Sequence, residues 1–248
     1  MEFKVNVEGP RRMLYVLSDN GDVAFSISES VVTGWLVILI VLVVCLILTK
    51  DLKKIPETKR QCAADYIVNT VNNMVRVNMD DESIAYAPYI AAVFAYIIIG
   101  TLISMIGFRS VTADISVTGG LALMTFVLIT YTKIKTNGVG GYFKQFINPL
   151  NIISEVATPV AMALRLFGNV AGGMIITLIL YTALGTASGA LYNLMGIPPI
   201  ESINGYVFNI FQIGIPAVLS IYFDLFSGAI QSYVFIMLTM AYIKMGKE

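Results

Sequence analysis

One arginine stands within a long apolar stretch of the kind that crosses membranes. Between residues 156 and 184, Arg165 is the only charged side chain. A guanidinium group at this depth is costly, so it persists where a partner or a function rewards it. Because arginine stays protonated in proteins, Arg165 can act as a barrier to cations or as a docking charge for a carboxylate. These roles point to ion handling; a structural arginine paired within its own bundle is the alternative.

Small and polar residues follow this arginine on the same side of the helix. Asn169 lies one turn after Arg165. That side of the helix lacks side chains at Gly168, Gly172 and Gly173, so that another backbone or side chain can approach closely. Small residues in membrane helices are also ordinary packing contacts. Beside a charge in the membrane, they predict a groove.

A second polar stripe occurs in the last apolar stretch, where Asp224 is the only charge before Lys244. The stripe consists of Ser220, Asp224, Ser227 and Gln231, whose spacings of four, three and four place them on one face of an α-helix. Serine and glutamine commonly join helices by hydrogen bonds, whereas an aspartate in the membrane is a functional candidate by default. Asp224 is therefore the candidate group for proton exchange.

Two more carboxylates lie near the ends of apolar stretches. Asp114 directly precedes the stretch that starts at Ile115, where it fits either a vestibule on an ion pathway or a solvated helix N-cap. Glu155 precedes the arginine by ten residues. It fits an ordinary interfacial carboxylate better than a channel residue.

The composition indicates which elements must position these residues. Of 248 residues, 57% are hydrophobic and 13% are charged, and the mean hydropathy is +0.78. These values lie outside the range of soluble domains, and the apolar runs are continuous rather than alternating. We therefore predict an all-α integral membrane protein with about five membrane helices and an amphipathic surface helix.

The predicted boundaries separate an external N-terminal segment, residues 1–30, from a single membrane domain, residues 31–248. Membrane helices are predicted at about 31–49, 84–108, 115–132, 148–184 and 206–244, and the surface helix at about 58–77. The last two exceed the length that an upright crossing needs. We expect them to be steeply tilted and joined as a hairpin through the turn-rich residues 185–205.

Basic residues set the expected orientation. They cluster after the first span and after the third, at Lys50, Lys53, Lys54, Lys59, Arg60, Lys133, Lys135 and Lys144. By the positive-inside rule these regions are cytoplasmic, which places the N-terminus outside and the C-terminus in the cytoplasm. No apolar core of a signal peptide precedes the first span, so the mature chain is expected to begin near Met1.

Several functions are disfavoured by what the sequence lacks. The formal net charge is zero, and no glycine loop of the phosphate-binding kind occurs, so neither nucleic acid nor nucleotide is an expected ligand. Cys45 and Cys62 have no metal or disulfide spacing, and the chain has no histidine. We expect no cofactor and no metal site, and any proton relay would use carboxylates.

Residues 163–169, with the sequence ALRLFGN, and the preceding Pro159 closely resemble the signature of subunit a of F-type ATP synthases. The resemblance covers most of the chain. Residues 112–114 resemble the acidic motif that starts a middle span, and Gln231 with residues 242–243 resembles the last helix. The first thirty residues add nothing to it.

The resemblance implies a role for each matching residue. Arg165 corresponds to the family's essential arginine, which faces the rotating c-ring. Asn169 and Gln231 correspond to polar residues beside it, and Asp114 to an acidic residue on the external access path. Some members carry a glutamate nine residues after the arginine and a histidine on the last helix. This chain has Met174 and Asp224 instead, so Asp224 would be the main proton-exchanging group of the external half-channel.

The implied mechanism is that of a stator. Ions enter from outside through one half-channel, neutralise a carboxylate of the c-ring, and leave through a second, cytoplasmic half-channel, with Arg165 between the two. The implied partners are the c-ring, the b subunits of a peripheral stalk, the lipid bilayer, and a transported proton or sodium ion. The expected location is a bacterial plasma (inner) membrane.

Two other functions compete with this one. A self-contained proton- or cation-coupled transporter could also use an arginine and an aspartate in the membrane, but such transporters usually contain paired repeats, and we find none here. A non-conducting scaffold would have no reason to keep a charged stripe in lipid.

Overall fold

The computed structural model describes residues 12–17, 23–50, 58–106, 108–145, 149–195, 218–219 and 221–247. Within these ranges, five helices are long and apolar enough to cross a membrane. The prediction of an all-α membrane protein is therefore confirmed. Ser220 and the predicted connection from residue 196 onward lie outside the described residues.

The helices have the following bounds. We name them α1 (Glu29–Thr49), α2 (Lys59–Asn78), α3 (Ala87–Leu102), α4 (Ile115–Gln145), α5 (Pro149–Met195) and α6 (Gly228–Met245). Short 3-10 turns flank α3 at Asp81–Tyr86 and Ile103–Ile106, and another, Val111–Ala113, precedes α4. A π-helical segment, Tyr222–Ser227, leads directly into α6.

The N-terminal segment contains a short antiparallel hairpin that the sequence analysis did not predict. Strands β1 (Arg12–Leu17) and β2 (Val23–Ser28) pair from Arg12 opposite Ser28 to Leu17 opposite Val23. The strand β2 ends at Ser28, and α1 begins at the next residue. The hairpin is therefore attached to the first membrane helix without a linker.

The surface helix α2 begins with a capping box. Thr58 accepts a hydrogen bond from the Gln61 backbone, and the Gln61 side chain accepts one from the Thr58 backbone, both at 3.4 Å. Val75 and Met79 join the core, whereas Tyr66 is 73% exposed. This division between a buried and an exposed side agrees with the predicted amphipathic surface helix.

The core lies where α3, α4, α5 and α6 meet. Its largest fully buried side chains include Ile97, Leu166 and Phe235. Polar contacts between α4 and the start of α3 cross this core. The Tyr89 hydroxyl lies 2.8 Å from Thr125 Oγ1, and the Tyr86 hydroxyl lies 2.9 Å from Thr132 Oγ1. These bonds fix how the two helices align along their length.

Helix α4 continues further than predicted and changes direction near its end. Gly138 has φ 70° and ψ 162°, a backbone conformation that glycine adopts without steric cost. The predicted span ended at about residue 132, but helical structure continues through the kink to Gln145. The last turns of α4 are thereby redirected alongside the beginning of α5.

Helix α5 has 47 residues and is therefore about 70 Å long, more than twice the thickness of a bilayer core. It cannot cross upright within the hydrocarbon, which fits the predicted steep tilt. Few of its described side chains are buried; they include Met162, Ala163 and Leu166. Most of its surface is therefore left uncovered by the described part of the chain.

Candidate ion-translocation site

Arg165 lies on the outer surface of α5 and not in the core. Its side chain is exposed, whereas Met162 and Leu166 on either side are 2% and 0% exposed. The helix therefore turns its apolar residues toward the bundle and its arginine away from it. Among the described side chains, no carboxylate lies within ion-pair distance of Arg165. A structural arginine paired within its own bundle finds no support here.

The surface beside Arg165 is open. A Cβ atom placed on Gly168 or Gly172 would meet no atom of the described chain within 4 Å. Gly173, in contrast, is buried. Two of the three glycines thus form a shallow groove next to the arginine, as the sequence predicted. No other part of the described chain occupies this groove.

Asn169 joins α5 to the π-helical segment. The Ser227 hydroxyl donates a hydrogen bond of 2.6 Å to Asn169 Oδ1. The two residues are 58 positions apart in sequence, so this contact brings together two predicted site residues from separate helices. It lies one turn from Arg165 along α5.

Two amide nitrogens near this contact are buried and have no hydrogen-bond partner in the part of the chain that the structure describes. They are Nδ2 of Asn169 and Nε2 of Gln231, which lies one turn after Ser227. Buried polar groups are almost always bonded, to protein or to ordered water. A hydrated path between α5 and the last helix would satisfy both amides.

The segment that leads into α6 is π-helical next to this contact. π-Helical turns are rare in proteins, and many of those that do occur lie at functional sites. They widen the helix, so the α-helical spacing from which we predicted one stripe does not hold through Tyr222–Ser227. The backbone of Asp224 belongs to this segment, but its side chain lies outside the described residues, as does all of Ser220. Their predicted roles stay predictions.

Asp114 stands at the start of α4. Its Oδ1 atom accepts a hydrogen bond of 3.0 Å from the Ser116 backbone, which is the geometry of a capping side chain. The side chain is half-buried, and the turn Val111–Ala113 just before it contacts α5. The capping role is therefore present, at a position close to the helix that carries the arginine.

Glu155 lines a polar cavity that the sequence analysis missed. Its Oε2 atom lies 2.6 Å from Lys133 Nζ, and its Oε1 atom accepts a 3.3 Å hydrogen bond from the Tyr142 hydroxyl. The Lys133 and Glu155 side chains are only 20% and 15% exposed. The cavity has a volume of about 500 Å³ and lies between α4, α5 and α6. Because the two charges are 22 residues apart, no local pattern predicted their pairing.

This cavity lies on the arginine helix, toward its N-terminal end. Ser154 and Thr158 line it together with Glu155, which is ten residues, or about 15 Å, from Arg165. The polar contact of Asn169 with Ser227 lies on the other side of the arginine along α5. Arg165 thus separates two polar regions of the same helix.

These features define a class of protein: a multi-pass membrane protein with a site for ions at an arginine on the exposed surface of a membrane helix. A family model described as ATP synthase A chain matches residues 31–244. The chain belongs to this family.

Curated relatives agree with the family match. Subunit a of the Propionigenium modestum ATP synthase, described as sodium ion specific, is 31% identical over 96% of this chain and 85% of its own length. Subunit a of Desulforamulus reducens is 31% identical over 87% of this chain and 78% of its own. A third relative, subunit a from a Sulfurihydrogenibium species, is 29% identical over 87% of this chain and 95% of its own length.

Membership of the family establishes the general role. The chain is an ion-translocating subunit of the membrane sector of an ATP synthase, it works beside the c-ring, and it is a multi-pass protein of the plasma membrane. This role replaces a self-contained transporter as the account of the chain.

Proposed function

We propose that the chain is the stator that gives ions access to the c-ring through two half-channels, with Arg165 as the barrier and docking charge between them. One observation carries the proposal. Arg165 is exposed on an open, glycine-lined surface, and among the described side chains it has no carboxylate partner. A charge in this position is stabilised by a counter-charge, and a carboxylate on the ring supplies one.

The cavity beside Glu155 supports a cytoplasmic half-channel. It is polar, it opens between three helices, and it lies on the side of Arg165 where the basic residues in the second half of α4 place the cytoplasm. Water in this cavity would give an ion leaving the ring a route that does not pass the arginine.

The buried amides support an external half-channel on the other side. Asn169, Ser227 and Gln231 lie between α5 and the last helix, and the two unpartnered amide nitrogens are suited to hydrogen-bonded water. We assign Asp114 to the outer end of this route. Asp224 and Ser220 are assigned to it from sequence alone.

Arg165 performs two tasks in this arrangement. Its fixed positive charge repels a cation that would pass directly from one half-channel to the other. It also attracts the rotor carboxylate after the ion has left, and so favours one position of the ring. A membrane potential contributes about 2.3 kcal/mol per charge per 100 mV, and the offset between the two routes converts this into rotation.

The remaining assignments follow from the same role. We propose that b subunits of a peripheral stalk hold the chain still, with the N-terminus outside and the C-terminus in the cytoplasm. The transported ion is a proton or a sodium ion. The name of the Propionigenium modestum relative makes sodium worth testing first.

The test is ATP-driven ion pumping by inverted membrane vesicles that contain the whole complex. Arg165→Ala is compared with wild type and with Leu164→Ala, a neighbour that is 51% exposed on the same helix. Assembly is checked by co-purification of the subunits. We expect pumping to disappear in Arg165→Ala alone; pumping that survives would refute the barrier role.

The same vesicles identify the ion. Uptake of ²²Na⁺ in the presence of a protonophore indicates sodium coupling, and acidification without added sodium indicates proton coupling. Either result is compatible with the stator role, because the ion-binding carboxylate belongs to the ring.

A further inference from the structure

We propose that an apolar groove between α1, α3 and α4 binds one acyl chain of an anionic phospholipid, whose phosphate contacts the cations at the end of α1 and the start of α2. This site is separate from the ion route and does not rest on the proposed function. Four features carry the proposal: the shape of the groove, its volume, its walls and the charges at the membrane surface.

The shape follows from how α1 packs. Its buried residues, Ser30, Thr33, Gly34 and Val37, all lie in its first nine residues. No residue from position 38 to 49 is buried. The first part of α1 therefore contacts the bundle closely, and the second part leaves a wedge-shaped groove of about 370 Å³ beside α3 and α4.

The volume of the groove matches one acyl chain. A hydrocarbon chain is about 5 Å wide when carbon atoms keep contact distances of about 4 Å, so roughly 19 Å of chain fits. The groove therefore has the size of one acyl chain.

The walls are suited to hydrocarbon. Val41 and Cys45 line the groove from α1, Ala92 and Tyr96 from α3, and Met124 from α4. The hydroxyl of Tyr89, which also lines it, is already hydrogen-bonded to Thr125 at 2.8 Å. An acyl chain can bury this surface without leaving the Tyr89 hydroxyl unpaired.

Cations lie at the end of α1, the helix that forms one wall of the groove, and at the start of the next helix. Lys50 follows the last turn of α1, and Lys59 and Arg60 form the first turn of α2, a helix that contacts α1. All three are exposed, and none forms an ion pair within the described ranges of the chain. A phosphate at these cations would also meet the positive N-terminal end of α2. This charge selects an anionic headgroup.

The test uses the purified whole complex in nanodiscs that contain phosphatidylglycerol with a diazirine in the middle of one acyl chain. After illumination, adducts are mapped by mass spectrometry. We expect adducts concentrated on the groove, and a reduction of about fivefold or more in Ala92→Trp, which fills it. Ile47→Trp is the matched control, because Ile47 is 50% exposed and points to the opposite side of α1.

A second pair of variants tests the headgroup contact. Each of Lys59→Gln and Arg60→Gln should lower the preference for phosphatidylglycerol over phosphatidylcholine about fivefold, because each cation near the surface contributes about 1 kcal/mol. Lys135→Gln, an exposed cation of α4, should leave the preference unchanged.

Three results would overturn the proposal. Adducts spread evenly over the exposed faces of α1, unchanged by Ala92→Trp, would indicate ordinary surrounding lipid. A groove without adducts, in which a photoreactive residue at Val41 couples to another subunit, would indicate a protein helix. An unchanged headgroup preference in both cation variants would show that these cations do not select an anionic lipid. If Ala92→Trp does not assemble, Ala92→Leu takes its place.

Discussion

At the scale of residues, the chain separates its charges into two kinds. Lys133 and Glu155 form a 2.6 Å ion pair in the wall of a cavity, where both are little exposed, so each neutralises the other. Arg165 has no such partner among the described side chains and points away from the bundle. The first arrangement is complete within the described chain, whereas the second leaves the arginine open to a partner. This difference is why we assign the rotor contact to the arginine.

The ion pair allows structure and function to be tested separately. Glu155→Met leaves the half-buried Lys133 without its partner, which we expect to cost about 1–3 kcal/mol, because the pair is not fully buried. Lys133→Met combined with Glu155→Met should recover the stability. Thermal unfolding of the purified complex measures this cycle. If Glu155 belongs to the ion route, pumping should be low in Glu155→Met and should not recover in the double variant. Full recovery of pumping in the double variant would show that the pair is purely structural.

A second residue-scale prediction concerns Gln231. Its Nε2 atom is buried and has no partner among the described residues, so Gln231→Leu removes a polar group that the described chain leaves unsatisfied and should leave stability equal or higher. If the amide binds water of the external route, ATP-driven pumping should nevertheless fall about tenfold, equivalent to about 1.4 kcal/mol of added barrier. Thr239→Val on the same helix is the control, because the Thr239 hydroxyl donates its hydrogen bond to the Phe235 carbonyl one turn earlier. Equal pumping in both variants would contradict the assignment.

At the scale of elements, glycines show which helix faces are interior. A Cβ on Gly228, at the start of α6, would lie 3.3 Å from Thr101 Cβ of α3, so these two helices approach closely there. A Cβ on Gly168 would meet no described atom within 4 Å. Both glycines lie on membrane helices, yet one is needed for packing within the chain and the other leaves space that the described chain does not fill.

This contrast gives an element-scale prediction. Gly228→Leu should overpack the contact with Thr101, lower the stability by about 1–3 kcal/mol and reduce assembly. Gly168→Leu should leave stability and assembly unchanged but slow pumping about tenfold, because the added side chain obstructs the ring. Co-purification and vesicle assays measure the two effects. Normal pumping in Gly168→Leu would show that the ring does not pass over this surface.

At the scale of the whole molecule, the C-terminal end is held to the junction of α2 and α3. Lys247 Nζ donates a 2.7 Å hydrogen bond to Ser83 and lies 5.7 Å from the ring centre of Tyr86. Lys244 lies 4.0 Å from Asp80. These contacts place the end of α6 on the same side of the membrane as α2, which we expect to be the cytoplasmic side.

The native cysteines test this orientation. Cys62 is exposed near the start of α2, and Cys45 is exposed within the membrane span α1. A membrane-impermeant maleimide should label Cys62 in inverted vesicles and not in right-side-out vesicles, and should leave Cys45 unlabelled in both. Phe108→Cys, in the loop after α3, should show the opposite sidedness. Labelling of Cys62 from the outside would invert the proposed topology.

The sequence alone determined the membrane class, the helical fold class and the arginine as the candidate residue. Continuous apolar runs force helical hydrogen bonding in lipid, so composition is sufficient for the fold class. Arg165 was found because a lone charge in such a run is rare. The signature around it identified the family, which the comparisons confirmed.

Only the tertiary structure decided what these residues meet. Lys133 and Glu155 are 22 residues apart, and Asn169 and Ser227 are 58 apart, so their pairing depends on how helices pack. The π-helical turn at Tyr222–Ser227 changed a spacing that the sequence had treated as α-helical. Spacing within one helix is set by the local backbone, whereas contacts between helices follow from side-chain packing across the bundle, which no local pattern records.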